Sequence, residues 1–432
     1  MLYPPPYEPV ERGTSAPARR MLTYRPGRVY YMKGVDRRAK YILKRLCQSL
    51  LTILLVVCIV FFLMRLMPTE YFFTEDELMK FTDQQKFAKL ERMGVMTICA
   101  TCHGSGTLEN GEACPDCMKY STTNIGTGYV DRSVFAQLGD FFSNLLEMRV
   151  FNSKGKEIKT IDPVSLWTYL QDTSVFQDKL KDGYSVRLAF NLGKSIRLEK
   201  GQYVVDVIMN KMSVSMSIGL LSLAISLVLG VVLGVLQARY KDGLFDHVGT
   251  AYTVLVNAVP HLVIYTIIMI GGASIFGLPM RYDATAAEPW KTMVLPIVCL
   301  SIGSTAGYML WTRRYMVDEL NKDYIRLAKL KGLTDRKVMF RHVLKNAFVP
   351  LAQYLPYSIL LTVGGSLLVE RFFAVPGMGP ELTNAINRYD LNLVQGIVLL
   401  YATMGILGVF LGDLLMTLID PRIKLTGKEG VR

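Results

Sequence analysis

Two Cys-x-x-Cys pairs, Cys99-Ala-Thr-Cys102 and Cys114-Pro-Asp-Cys117, lie close together in the chain. Each pair sets two sulfurs on one tight turn. Together they can bring four thiolates to the corners of a tetrahedron, which is the coordination zinc takes. Gly104, Gly106 and Gly111 supply the backbone freedom to wrap around the sulfurs. Other chemistries fit the same residues. Two disulfides would form in an oxidising compartment. Cys99-Ala-Thr-Cys102-His103 has the spacing of covalent haem attachment, although that leaves Cys114 and Cys117 unused. Iron also accepts four thiolates. The simplest use is structural, as a staple for a small segment without a core of its own. Cys47, Cys58 and Cys299 fall in or beside apolar runs and read as packing residues.

The second pattern is a basic stretch between two long apolar runs. It reads Asp323-Tyr324-Ile-Arg326-Leu327-Ala328-Lys-Leu330-Lys-Gly332, and continues to Arg341-His-Val-Leu-Lys-Asn-Ala-Phe-Val-Pro350. The first part is helix-forming and ends at Gly332, which can adopt φ > 0 and turn the chain. A second amphipathic run follows, with Pro350 expected where the next apolar run begins. A short helix of this kind, lying under a bundle of spans, can seat in a groove of another protein and transmit rigid-body motion. Ala328 is small enough for close approach to that partner, and Leu327 and Leu330 offer apolar contacts. The plainer alternative is an interfacial amphipathic helix without a partner.

The elements that must position these residues follow from composition. The chain has 432 residues, 51% hydrophobic, with a net charge of +13. In a soluble domain that charge would suggest nucleic acid. Here charge and apolar runs are segregated, which points to a membrane protein with basic inner loops and no nucleic-acid partner. A spanning helix needs about 20 mainly apolar residues. Six segments qualify: 49–67, 213–236, 247–270, 293–311, 351–369 and 393–418. Unpaired backbone groups are too costly in lipid for anything but helices here. The tail 1–47 is rich in Arg and Lys, so it and the C-terminal tail 419–432 are expected on the cytoplasmic side, with the basic loop 312–350. The first span reads as a retained anchor rather than a cleaved leader. Residues 68–212 are then extracytoplasmic. They are too long for a connecting loop and divide into a charged helical piece at 75–92, the cysteine cluster at 99–117, and a small α+β domain at 130–207. Charged residues at span edges, namely Arg65, Glu370, Arg371 and Asp413, are expected at interfaces or turned into the bundle, with Asp413 in a structural pair.

Further motifs recur in order. They are Asn191-Leu-Gly-Lys-Ser195, Gly234-Val-Leu-Gln-Ala-Arg239, Glu370-Arg-Phe-Phe-Ala-Val-Pro376-Gly377-Met-Gly379, and Asp413 with Ile419-Asp-Pro-Arg-Ile423. Together with the basic loop they resemble the permeases of dipeptide, oligopeptide and nickel ABC importers, over roughly 191–425. The resemblance implies an all-α polytopic protein with six spans and an enlarged α+β insertion between the first and second. Asp323, Tyr324, Arg326, Leu327, Ala328, Leu330, Gly332 and Arg341 would form the coupling surface for a cytoplasmic ATPase. Glu370, Pro376, Gly377 and Gly379 would lie in an outer loop near the pore mouth. The implied partners are a second, related permease, two ABC ATPases and an extracytoplasmic substrate-binding protein. The implied cargo is a peptide or similar solute. The cysteine cluster resembles one zinc-binding half of the DnaJ-type cysteine-rich domain, from which only the metal-ligand role of Cys99, Cys102, Cys114 and Cys117 carries over. Gly193-Lys194-Ser195 mimics the end of a phosphate-binding loop, but Leu188 stands where that motif needs glycine. ATP is therefore expected on partner chains only. Two rival readings remain: a membrane-anchored metal or redox sensor on a permease-like body, and a passive channel.

Overall fold

In the computed structural model, Pro260 breaks what the sequence presents as a continuous third span. The described residues are 30–108, 111–120, 127–152, 158, 161–179 and 184–419. The N-terminal tail to residue 29, and the closing Asp420-Pro-Arg-Ile423 with the tail after it, lie outside them. The helices before the cysteine cluster are α1 (Tyr30–Arg65), α2 (Glu75–Lys80) and α3 (Asp83–Arg92). Between the cluster and the next long helix come α4 (Val134–Asn144) and α5 (Leu166–Gln171). The helical body comprises α6 (Val204–Arg239), α7 (Leu244–Ala258), α8 (His261–Phe276), α9 (Pro289–Leu320), α10 (Asp323–Leu330) and α11 (Asp335–Val338). A π turn (Met339–Leu344) then leads into α12 (Lys345–Val363), followed by α13 (Leu367–Phe372), α14 (Met378–Asn387) and α15 (Leu391–Ile419).

Among the described residues, five helical stretches are long and apolar enough to cross a membrane, and a sixth is added if α7 and α8 count as one bent span. The expected straight helix at 247–270 is corrected. α7 and α8 meet at 108°. Val259 is extended, the conformation favoured before proline, and Pro260 has no N–H to continue the ladder. The fifth span also differs from expectation. α12 begins five residues before Pro350 and stops at Val363, because Gly364 and Gly365 turn the chain, Gly365 at φ +66°. Pro350 therefore sits inside a helix rather than opening one.

Without water to expel between helices in lipid, close backbone approach must hold a bundle together, and small residues permit it. α6 and α9 meet along Gly230 and Gly234, one turn apart. A Cβ on Gly234 would lie 2.6 Å from Thr312 Cβ and 2.7 Å from the Met309 carbonyl. α12 and α15 use the same device at Gly408, where a Cβ would lie 2.7 Å from Tyr357 Cα.

Between α1 and α6 the described residues form two small sheets. β1 (Met96–Ile98) pairs antiparallel with β2 (Tyr129–Asp131). β3 (Leu146–Phe151) lies between β4 (Val164–Ser165) and β5 (Ser185–Phe190), all antiparallel. The α+β unit thus ends before α6, which already begins at Val204, short of the expected boundary at 207. The charged piece at 75–92 forms α2 and α3, each opened by a capping box, Thr74 with Glu77 and Thr82 with Gln85.

Candidate functional site

α10 has two faces. Ile325 and Ala328, three residues apart, are buried with Val235, Ala238, Met316, Val338, Val343 and Ala347. Leu327 and Leu330 point away, and Leu330 is 85% exposed. The small side chain of Ala328 therefore serves close approach to the chain's own helices, not an outward surface. Asp323, Arg326 and Arg341 are exposed, and Arg326 lies 3.6 Å from Asp323. Gly332 takes φ +75° and turns the chain from α10 toward α11, where Asp335 meets Lys329 at 3.5 Å. Tyr324 anchors the near end of α10. Its hydroxyl donates to Glu319 and accepts from Asn346 Nδ2 at 2.8 Å. Burial and the neighbouring Glu319 push this phenol up to about 12. Beside this surface, Arg313 makes a two-point ion pair with Asp246, with Nη2 to Oδ2 at 2.6 Å, and Gln237 Nε2 donates to the Asp246 carbonyl. That pair ties α7 to α9 directly above the exposed loop.

At the other end of the bundle, Glu370 is buried. Its carboxylate accepts from the Ser366 N–H at 2.9 Å and the Gly379 N–H at 3.0 Å. Ser215 Oγ accepts from the Met378 N–H at 2.8 Å. The Pro376-Gly377-Met378-Gly379 segment folds tightly over this carboxylate. A Cβ on Gly377 would collide with Glu370 and Ser215, and one on Gly379 would lie 2.7 Å from the Leu367 backbone. Pro376 is exposed while Gly377 and Gly379 are buried. Glu370 and its glycines thus form a latch joining α13 to α14, and the same residue reaches a cavity inside the bundle.

That cavity, about 980 Å³, runs from Glu370, Gly365 and Ser366 at one end to Trp311, Tyr315 and Pro350 at the other. Hydroxyls of Ser215, Ser222, Ser304 and Ser358 and the rings of Tyr308, Tyr354 and Tyr357 line its length. None of these serines and tyrosines was singled out by sequence reasoning. The signal available was the repeated Ser and Tyr inside otherwise apolar spans. Asp390 was missed as well. It is fully buried, and one oxygen accepts from Ser195 Oγ and from the N–H groups of Ile196, Arg197 and Leu198 at 2.9–3.0 Å. Ser195, the last residue of the phosphate-loop mimic, is thus engaged by a carboxylate. Asp413 finds its expected pair, Arg45 at 3.3 Å, with Gln353 Nε2 at 3.0 Å.

The four cysteines converge as their spacing predicts. All four are buried, and their sulfurs lie within 4.8 Å of one another. Cys99 and Cys114 are 3.8 Å apart, and Cys102 and Cys117 are 3.6 Å apart. His103, Gly104, Gly106 and Gly111 all take positive φ, which winds the backbone around the sulfurs. Burial works against the Cys102 thiolate, but N–H groups of Gly106 and Gly104 and the Cys117 thiol outweigh it and bring Cys102 down to about 7. Burial and the neighbouring thiols push Cys117 up to about 12, and burial also raises Cys114. The set can hold a metal ion.

Residues 230–425 match the family described as binding-protein-dependent transport system inner membrane component. The chain is 38% identical over 220 residues to the oligopeptide transport system permease protein AmiC of Streptococcus pneumoniae, covering 51% of this chain but only 44% of AmiC. It is 34% identical over 241 residues to the dipeptide transport system permease protein DppB of Bacillus subtilis, covering 56% of this chain and 77% of DppB. DppB of Lactococcus lactis is 30% identical over 238 residues, with 76% of its length covered. A solved amino acid ABC transporter chain aligns with 51% of this chain at 14% identity and a TM-score of 0.39, a likeness too slight to carry weight. The cysteine cluster lies outside the matched residues 230–425. The extent of the match to DppB places this multi-pass membrane protein in the family of binding-protein-dependent transport system inner membrane components.

Proposed function

We propose that this chain is the membrane-spanning pore subunit of an ATP-driven importer of di- or oligopeptides. The observation that carries the reading is the two-faced helix α10. One face is locked into the bundle by Ile325 and Ala328, while Leu327 and Leu330 are held out. A helix so clamped moves as a rigid body with the ends of α6, α9 and α12, and its outward leucines give an ATPase something to grip. The named relatives are dipeptide and oligopeptide permeases, which supports peptides as cargo. The hydroxyl- and tyrosine-lined cavity, with no Lys or Arg among its lining residues, suits a main chain that varies in side chain. The remaining partners are a second permease, two ABC ATPases and a substrate-binding protein. The basic loops and both termini face the cytoplasm, and residues 68–212 face the opposite side.

The test is the double variant Leu327→Asp, Leu330→Asp. Both positions are exposed, so the fold should hold with thermal unfolding unchanged. The expected result is loss of ATPase from the purified complex together with loss of labelled tripeptide uptake. Retained ATPase and uptake would overturn the coupling role of α10. A complex lacking any ATPase even for the parent chain would favour the sensor or channel readings.

We also propose that the cysteine cluster binds zinc. Four thiolates at a zinc–sulfur distance of about 2.3 Å place neighbouring sulfurs ~3.8 Å apart, and the spacings of 3.8 and 3.6 Å agree. Elemental analysis of the purified complex should give one zinc per chain. Iron in its place, or paired disulfides by intact mass, would replace this assignment.

A further inference from the structure

Helix α4 belongs to the α+β segment, yet it packs beside a membrane span. α1 reaches its charged end at Arg65. At a rise of 1.5 Å per residue, Phe61 and Phe62 lie about 5 Å inside that end and Val57 about 12 Å inside. Phe141 of α4 meets Phe61 with ring centroids 5.4 Å apart, and Phe135 meets Phe62 edge-on at 5.9 Å. Phe141 and Phe142 also pack on a buried cluster of Val57, Val60 and Leu399, joined by Leu192. α4 therefore runs at the depth of the last turns of α1, not above them.

The polar side of α4 is turned toward its own domain. Gln137 donates to the carbonyls of Arg132 and Val95, at 2.9 and 3.4 Å, and Asp140 pairs with Arg132. The apolar side is not fully covered by protein. Phe135 is 77% exposed while touching a span whose own outward residues, Leu55, Ile59 and Leu63, are exposed in the same way. The uncovered surface is thus continuous with the lipid-facing surface of α1. Strand β5 extends it. Leu188 and Phe190 share one face and are both exposed, and the strand ends two residues before Leu192, which packs on the Val57–Val60 cluster.

We infer that α4 is an interfacial helix, embedded in the leaflet nearest the 68–212 segment, with Phe135 among the acyl chains. An amphipathic helix of this type sinks about 5–10 Å into the boundary between headgroups and chains, which matches the depth of its contacts on α1. The domain between α1 and α6 therefore rests in the membrane surface. This inference uses the spanning character of α1 and is independent of cargo and of ATPase coupling.

The test is photo-crosslinking in native membranes, with p-benzoylphenylalanine in the full chain at Phe135 and, as a control, at the exposed Asp83 of α3. Mass spectrometry of the products should show lipid adducts at position 135 in several-fold excess over position 83. Adducts to a polypeptide at position 135, whether a second permease or a binding protein, would overturn the inference, as would equal lipid labelling at both positions. Should the photoprobe prevent assembly, Phe135→Trp in vesicles of phosphatidylcholine with brominated acyl chains gives a second readout. Tryptophan emission should be quenched more than in the parent, and unchanged quenching would overturn the inference.

Discussion

At the scale of single residues, two positions carry consequences out of proportion to their size. Gly377 has no room for a methyl group, because Glu370 and Ser215 occupy the space. Gly377→Ala should destabilise the protein by about 1–3 kcal/mol through overpacking, seen as a lower unfolding temperature in detergent, with Glu370 detached from its two N–H donors. Asp390→Ala would leave four backbone donors, those of Ile196, Arg197, Leu198 and Leu393, and the Ser195 hydroxyl without their acceptor. A loss of at least about 2 kcal/mol is expected, with Asp390→Asn intermediate because it keeps one acceptor oxygen. The motif around Gly377 stood out in the sequence, but its role as a lid on a buried carboxylate did not. Nothing in the spacing of Glu370 and Gly379 shows that they fold back on each other. The grip of Asp390 on residues 195–198 was invisible for the same reason, since those partners lie more than 190 residues away. By contrast, the convergence of the four cysteines was legible, because they are local in the chain and two tight turns bring their sulfurs within 4.8 Å of one another.

At the scale of elements, hydropathy located each span but not its shape. The sequence at 247–270 is mainly apolar, and Pro260 is the residue in it that signals the 108° bend between α7 and α8. At the start of α7, Asp246 pairs with Arg313 of α9. Arg313→Met should strand a buried carboxylate and cost about 3–5 kcal/mol, measured as loss of α7 protection in hydrogen exchange, and Asp246→Asn with Arg313→Met should recover part of that loss. The loop after α10 was read correctly as a glycine-terminated turn. Gly332→Ala, at φ +75°, should cost about 1–2 kcal/mol. Because no atom lies within 4 Å of the added methyl, the cost is backbone strain alone, and the expected readout is slower peptide uptake with little change in complex assembly.

For the molecule as a whole, the cysteine cluster and the helical body should be separable in solution chemistry. Cys114 and Cys117 have raised affinities for protons, so a metal entering the cluster near neutral pH displaces at least their protons. Acidification returns those protons and drives the metal off; zinc retained against a fixed chelator should fall as pH is lowered. Limited proteolysis of the stripped protein should then cut between residues 96 and 131, while α6 through α15 stay intact. One contact shows why the two parts can be handled apart. Arg197, at the exit of the segment between α1 and α6, donates through Nε to the carbonyl of Phe73, at its entrance, at 2.8 Å. A stretch of chain whose two ends are already side by side behaves as a cassette. Its stumps can be rejoined by a short linker, or the piece exchanged for the corresponding piece of another permease, provided the replacement again covers Val57, Val60, Phe61 and Leu399, on which α4 packs.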